Sequence, residues 1–364
     1  MVPTSNSCLW KRNWTNDSCP SLCSIPANMD IPYITVEVLI AVLALFSNGL
    51  VCGSVLRSGK LRTVTNSFLV SLAVADILVG VVVVPSAILS DLGIPLRTSP
   101  ICVPMTCSLL VLTQASIFGL LLISVERFIA VMQPLSYNVF LRPARVCQMI
   151  CGSWVLAFAV GLVPMMGWNK KPKCDSTPCM FKQVIKDTYI VYFNFLCFIL
   201  VPLLIMLVLY GQIFWEARQQ IRRWAVKSPE VAPECRDKLR PVTLRKEVRT
   251  AFSLGLLILA FCICWLPLYA INCYELFTDC YTVPGYITKI AIILSHANSV
   301  VNPALYVFRL RSFRFALRRA LGCPPGQSRP PKDYWCAPQC PQPVKKNKDH
   351  GTLGKEMNTF LPGI

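Results

Sequence analysis

Long apolar runs recur along this chain, each parted from the next by a polar segment. They cover residues 33–56, 67–90, 101–126, 147–168, 188–213, 250–273 and 285–308. Each is close to the ~20 residues a helix needs to cross a bilayer. Lipid cannot satisfy loose backbone N–H and C=O groups, so such runs fold as helices and pack together. The pattern predicts an all-α membrane protein, a seven-transmembrane helix bundle over residues 33–308. No internal repeat is visible, which argues against the inverted-repeat transporters.

The flanks complete the layout. Residues 1–32 are polar, lack the apolar core of a cleavable signal and read as an extracellular segment. Asn13-Trp14-Thr15 and Asn16-Asp17-Ser18 are glycosylation sequons, which work only outside the cell. Residues 309–323 predict a short amphipathic eighth helix. Leu310, Phe313, Leu317 and Leu321 share one face, and Arg311, Arg314, Arg318 and Arg319 the other. Such a helix lies in the membrane interface. Cys323 closes it and is a candidate for palmitoylation. Residues 324–364, rich in Pro, Lys and Gln, predict a disordered cytoplasmic tail.

Charge sets the orientation. The net charge is +18, from 36 Lys and Arg against 18 Asp and Glu. A nucleic-acid binder could share that excess, but here the basic residues crowd into alternate loops, as positive-inside topology requires. Nucleic acid is therefore not an expected partner. The second loop on the outer side breaks the rule, with Lys170, Lys171, Lys173, Lys182 and Lys186. It predicts a positively charged outer vestibule. The 19 cysteines are too scattered for zinc spacing.

The polar residues inside the apolar runs are the functional candidates. Asp76 lies midway along the second run and needs a partner, a proton or a cation. Ser116, Asn298 and Asn302 fall near the same depth and could complete a sodium pocket. Glu126-Arg127-Phe128 closes the third run, and Glu247 at the foot of the sixth is the expected partner of Arg127. Pro267 follows Trp265 in Cys264-Trp265-Leu266-Pro267 and should kink the sixth helix. Pro303 does the same in Asn302-Pro303-Ala304-Leu305-Tyr306.

Together with Asn48, Trp154 and the pair Pro202 and Tyr210, this ordered set resembles the rhodopsin-like (class A) G-protein-coupled receptors, from about residue 33 to 323. Phe128 and Glu126 depart from the commoner Tyr and Asp but keep an aromatic ring and a charge. The resemblance implies a disulfide between Cys102 and Cys179. Cys8, Cys19, Cys23, Cys174, Cys273 and Cys280 leave other pairings open. The position that binds amines in the family falls at Leu109, so an ammonium ligand lacks a counter-ion.

A small, neutral, flat and polar ligand suits the remaining groups. Phe181 offers an aromatic face, and Asn272 a donor and an acceptor that can read a heteroaromatic edge. Thr113, Gln114, Ser295 and His296 could bond hydroxyls. Leu110, Leu268 and Ile292 supply apolar walls. Glu37 is the expected partner of His296, fixing its tautomer. These residues lie in Tyr33-Ile34-Thr35-Val36-Glu37, Leu112-Thr113-Gln114, Ile271-Asn272-Cys273 and Leu294-Ser295-His296-Ala297-Asn298-Ser299, segments similar to those of the adenosine receptors. Pro164-Met165-Met166-Gly167-Trp168-Asn169 and Val191-Tyr192-Phe193-Asn194-Phe195 extend the likeness. The resemblance implies that Phe181 stacks on adenine, Asn272 bonds its edge and Leu268 packs on the purine. Ser295 and His296 would meet ribose, with Thr113 deep in the site.

Three positions depart from the family: Lys182 where several members have Glu, Tyr269 where many have His, and Lys289 at the mouth. The two lysines could favour an anionic purine such as AMP. The reading preferred is that both reach into water and leave adenosine as the ligand, with inosine or AMP the alternatives. Cys280 stands without the second loop cysteine of some members, which favours inhibition of adenylyl cyclase. The resemblance further implies a heterotrimeric G protein, arrestin and receptor kinases as partners, in the plasma membrane. Beyond the allosteric sodium ion, no cofactor is expected. A seven-helix ion transporter is the remote alternative, since no lysine lies mid-way along the seventh run for a retinal Schiff base. No nucleophile–base pair suggests an enzyme.

Overall fold

The computed structural model describes residues 30–57, 59, 62–96, 98–171, 178–227, 242–278 and 283–309. Of Ala217, residues 220–227, 242–254 and 306–309, only the backbone is described. Among the described residues, seven long helices form the bundle: α1 (Ile31–Arg57), α2 (Val64–Asp91), α3 (Cys102–Met132), α4 (Pro143–Gly161), α5 (Tyr189–Leu200 continued by Val201–Lys227), α6 (Val242–Phe277) and α7 (Gly285–Arg309). Strands are absent among the described residues. The sequons at Asn13 and Asn16, the amphipathic segment with Cys323 and the tail lie outside the described residues.

Local chemistry sets the helix ends. Thr63 caps α2, its hydroxyl accepting from the Asn66 amide. Pro143 starts α4 at a position where its missing N–H costs nothing. The α4 helix therefore begins and ends earlier than the apolar run 147–168 suggests. It stops at Gly161, and a 3₁₀ turn at Val163–Met166 leads to Gly167, whose φ of 111° needs no Cβ. Turns of π-helix widen α2 at Val79–Val83 and α5 at Tyr189–Leu200. Pro267 and Pro303 lie inside helices that continue through them.

Burial orders the bundle. The most apolar stretch of α3 is 72% buried and that of α4 only 22%, so α3 is the central post and α4 lies at the rim. The α3 helix packs on α2, α4 and α5, while α1 and α6 both pack on α7. Phe68 and Leu72 of α2, Ile117 and Ile123 of α3, Met206 of α5 and Phe261 of α6 meet in one apolar cluster. Outward-facing positions are also apolar, among them Leu39 and Phe46 of α1 and Leu204 and Leu207 of α5. A belt of that kind belongs in lipid. Among the described residues, six helices are apolar enough over their length to cross a membrane. The α7 helix carries Lys289, Ser295, His296, Asn298 and Asn302, polar residues the sequence singles out.

Candidate functional site

At one end of the bundle a disulfide joins Cys102, at the start of α3, to Cys179 in the loop after α4. Ser90 donates to the Cys179 carbonyl at 2.6 Å, which ties that loop to α2 as well. Phe181 follows in a short helical turn, Phe181–Val184. Phe181 and Leu268 pack against the apolar cluster that includes Leu110, Trp265 and Tyr269, bringing together groups from α3, α6 and the loop. Asn272 and Ile292 are half-buried, whereas Thr113, Gln114, Ser295 and His296 are buried.

Several of these groups are already committed. Thr113 donates to the Leu109 carbonyl and Ser295 to that of Ile292. His296 Nδ1 lies 2.8 Å from Glu37 Oε2, and both residues are buried. This pair locks α1 to α7. Others lack partners: both polar atoms of the Gln114 amide, Glu37 Oε1, Asn194 Nδ2 and Trp265 Nε1. Buried polar groups rarely go unbonded; Tyr33 stands by Glu37 and Tyr189 by Asn194, which leaves the Gln114 amide and the Trp265 indole as the groups a bound molecule could meet. Tyr269 donates to Asn194 Oδ1 at 3.0 Å and stacks on Phe195 at 4.8 Å. Its ring lies 6.2 Å from Trp265, which stacks on Phe261 at 6.0 Å. A column of rings thus descends α6 against α5.

The mouth differs from the expectation of free positive charge. Lys182 Nζ sits 2.6 Å from both carboxylate oxygens of Glu275. Lys289 Nζ bridges Asp30 at 3.0 Å and Asp91 at 2.8 Å, with the Tyr33 ring 4.9 Å away. The bond to Lys289 holds the Asp30 carboxyl below its ordinary pKa. Lys170 meets Asp187 at 2.8 Å. Lys182 and Lys289 therefore do not reach freely into water. The mouth is laced with ion pairs, because Lys170, Lys182 and Lys289 each have an acid within a side chain's length.

Midway along the bundle, Asn302 donates to Asp76 Oδ2 at 2.9 Å. Asp76 Oδ1, Asn298 Oδ1 and Asn302 Oδ1 are buried without partners. Ser116 is buried on α3, and the Ser299 hydroxyl also turns to Asp76. At the other end, Glu126 and Arg127 pair with each other. Thr65 of α2 joins them, donating to Glu126 at 3.0 Å and accepting from Arg127 at 2.6 Å. Tyr137, beyond α3, donates to Glu126 as well. Burial, reinforced by that bond, pushes the phenol above its usual range. The side chains of Glu247 and Tyr306 lie outside the described residues, while Tyr210 is buried on α5.

The profile of the 7 transmembrane receptor (rhodopsin family) matches residues 47–306. Adenosine receptor A2a of Homo sapiens is 45% identical over 302 residues, covering 79% of this chain and 72% of the relative. Adenosine receptor A2b of Mus musculus is 41% identical over 310 residues, covering 80% and 90%. The chain belongs to the adenosine receptor family of rhodopsin-type receptors. The receptor is not an enzyme, and it is a multi-pass membrane protein.

Sequence reasoning missed several partners in the receptor: Thr65 and Tyr137 at Glu126, Ser299 at Asp76, and Glu275, Asp30 and Asp91 at the lysines. All are ordinary polar types, and all but Tyr137, 11 residues from Glu126, lie far along the chain from the groups they meet. The single signal available was arithmetic, since a lysine in the mouth of an apolar bundle needs an acid.

Proposed function

We propose that the receptor binds extracellular adenosine and, through a heterotrimeric G protein, stimulates adenylyl cyclase. The sequence alone favours inhibition; likeness to adenosine receptors A2a and A2b supports the opposite direction. The observation that carries the ligand choice is the ion pairing at the mouth. Lys182 and Lys289, the two cations that could redirect the site to a nucleotide, already hold carboxylates. A phosphate would have to displace them, whereas a neutral nucleoside would not.

In this reading the disulfide end faces outside with the N-terminus, and glycans sit at Asn13 and Asn16. Phe181 and Leu268 sandwich the purine and Asn272 bonds its edge. Gln114, with its amide unpartnered, takes further polar atoms. Thr113, Ser295 and His296 meet the ribose, Glu37 steadying the imidazole. Agonist draws α3 and α7 together, the ring column through Trp265 moves, and α6 swings about Pro267. At the inner end, Arg127 leaves Glu126 and admits the G protein, with Glu247 as its α6 partner in the resting form. Tyr210, Pro303 and Tyr306 rearrange beside it. Arrestin and receptor kinases bind the same end afterwards, and palmitoylated Cys323 holds the eighth helix to lipid.

The all-oxygen set around Asp76 fits a sodium ion. Its unpartnered oxygens on Asp76, Asn298 and Asn302, with the hydroxyl of buried Ser116, are the donors such a hard cation takes. The test of function is cellular cyclic AMP during titration with adenosine, inosine and AMP. Adenosine should raise it, and Asn272→Ala should shift the response at least tenfold, the loss of about one buried bond. A response to AMP but not adenosine would overturn the ligand. A fall would overturn the direction of coupling.

A further inference from the structure

Tyr33 is buried in the first turn of α1, and three helices close over it. Asp30 accepts from the Tyr33 amide at 3.2 Å through Oδ1 and holds Lys289 of α7 at 3.0 Å through Oδ2. Asp91, the last residue of α2, holds the same lysine at 2.8 Å. The ammonium is thereby fixed from two sides over the Tyr33 ring, 4.9 Å from its centre. That is the range of a cation–π contact. To swing outward, the ring would have to displace the lysine from both acids.

The hydroxyl of the same side chain points the other way, into the bundle. Glu37 lies four residues on, one turn deeper on the same face of α1. The Tyr33 hydroxyl faces its carboxylate. Glu37 Oε2 takes His296 Nδ1 at 2.8 Å, whereas Oε1 is buried with no other group to bond it. With Nδ1–H committed to the carboxylate, the neutral imidazole offers Nε2 as its acceptor. The carboxylate can turn about its last carbon–carbon bond. With Oε1 unbonded, such a turn would serve the orphaned oxygen and carry the imidazole off its direction.

We propose that Tyr33 is a positioning residue of the ligand site: clamped by Lys289, it holds Glu37 so that His296 presents Nε2 to a hydroxyl of the bound ligand. This rests on the reading of adenosine as the ligand, with its ribose at His296. Tyr33 acts through Glu37 and needs no contact with the nucleoside. The arrangement selects for a sugar that carries that hydroxyl, and it ties the selection to the ion pairs at the mouth.

The test is displacement of tritiated adenosine from membranes carrying the full receptor, by adenosine, 2′-deoxyadenosine and 3′-deoxyadenosine. Tyr33→Phe keeps the ring under Lys289 and removes only the hydroxyl. It should weaken adenosine about three- to tenfold, the effect of one hydrogen bond. The deoxynucleoside that lacks the hydroxyl met by His296 should weaken less than about twofold, because the contact being positioned is already gone. Lys289→Gln should show the same selective pattern by a smaller factor, and it should add nothing to that pattern in the Tyr33→Phe receptor. Equal weakening of all three ligands would show a tyrosine that only supports the fold, and would overturn the proposal. An adenosine affinity that Tyr33→Phe leaves unchanged would overturn it too, as would a Lys289→Gln effect that is as selective without the phenol as with it. A parent receptor that binds no adenosine would overturn the ligand reading itself, before any variant is compared, and the inference with it.

Discussion

An ion pair at the mouth acts less through its own strength than through the charge it removes. Lys182 is partly exposed, so its pair with Glu275 is worth at most ~1 kcal/mol. Glu275→Gln leaves the lysine free. The ratio of AMP to adenosine potency should then rise by about fivefold, the equivalent of ~1 kcal/mol. The change should shrink in high salt as screening grows. An unchanged potency ratio in the cyclic AMP assay would rule out charge as the basis of the preference. The Asp30 pair is steady against acid. Because the Asp30 pKa is depressed, its contribution is present above the ordinary value of 3.8 and is lost only as pH falls through the lower folded value. At the opposite end, Tyr137 supports the closed Glu126–Arg127 pair. Tyr137→Phe should raise agonist-independent cyclic AMP about two- to fivefold, matching the loss of one hydrogen bond of ~0.5–1 kcal/mol. The two ends were unequally legible. A buried histidine with one acid in reach identified the Glu37–His296 pair. Thr65 and Tyr137 carry no such mark, since a threonine at a helix start or a tyrosine in a loop has many other uses.

Between elements, fit depends on backbone approach as much as on apolar pattern. A Cβ on Gly161 would come within 2.5 to 2.7 Å of the Val111 side chain and backbone. The α4 helix can touch α3 there because residue 161 has no side chain. Gly161→Ala should cost ~1–3 kcal/mol by overpacking. It should lower the unfolding temperature of purified receptor by several degrees, whereas Gly152→Ala, facing open space, should not. Equal shifts in a thermal unfolding assay would show that the approach is not a constraint. Hydropathy finds such helices readily but not their ends. The α3 helix runs on to Met132 past the charged Glu126 and Arg127, because a helix need not stop where the membrane does. The widened π turns of α2 and α5 were likewise invisible, since they depend on how neighbouring helices pack.

At the scale of the whole bundle, Asp76 of α2 and Asn302 of α7 share one buried polar centre, to which the sodium proposal adds Ser116 of α3. Asp76 comes from α2, Ser116 from α3, and Asn298 and Asn302 from α7. If agonist draws α3 and α7 inward, the oxygens that could hold sodium are those that must move. Sodium and agonist then favour different arrangements, and linkage makes each weaken the other equally. Raising NaCl, with total ionic strength held by a larger organic cation, should lower agonist affinity in the native receptor. A tenfold effect would equal ~1.4 kcal/mol of coupling. Asp76→Asn keeps the shape and the Asn302 contact but removes the charge, so its agonist affinity should be flat across the same titration. The organic-cation control separates a bound ion from screening at the mouth, because the Lys182 and Lys289 pairs respond to ionic strength of any kind. A variant as sensitive to sodium as the native receptor would place the ion elsewhere. An insensitive native receptor would mean that Asp76 serves only to bind Asn302 and hold α2 to α7.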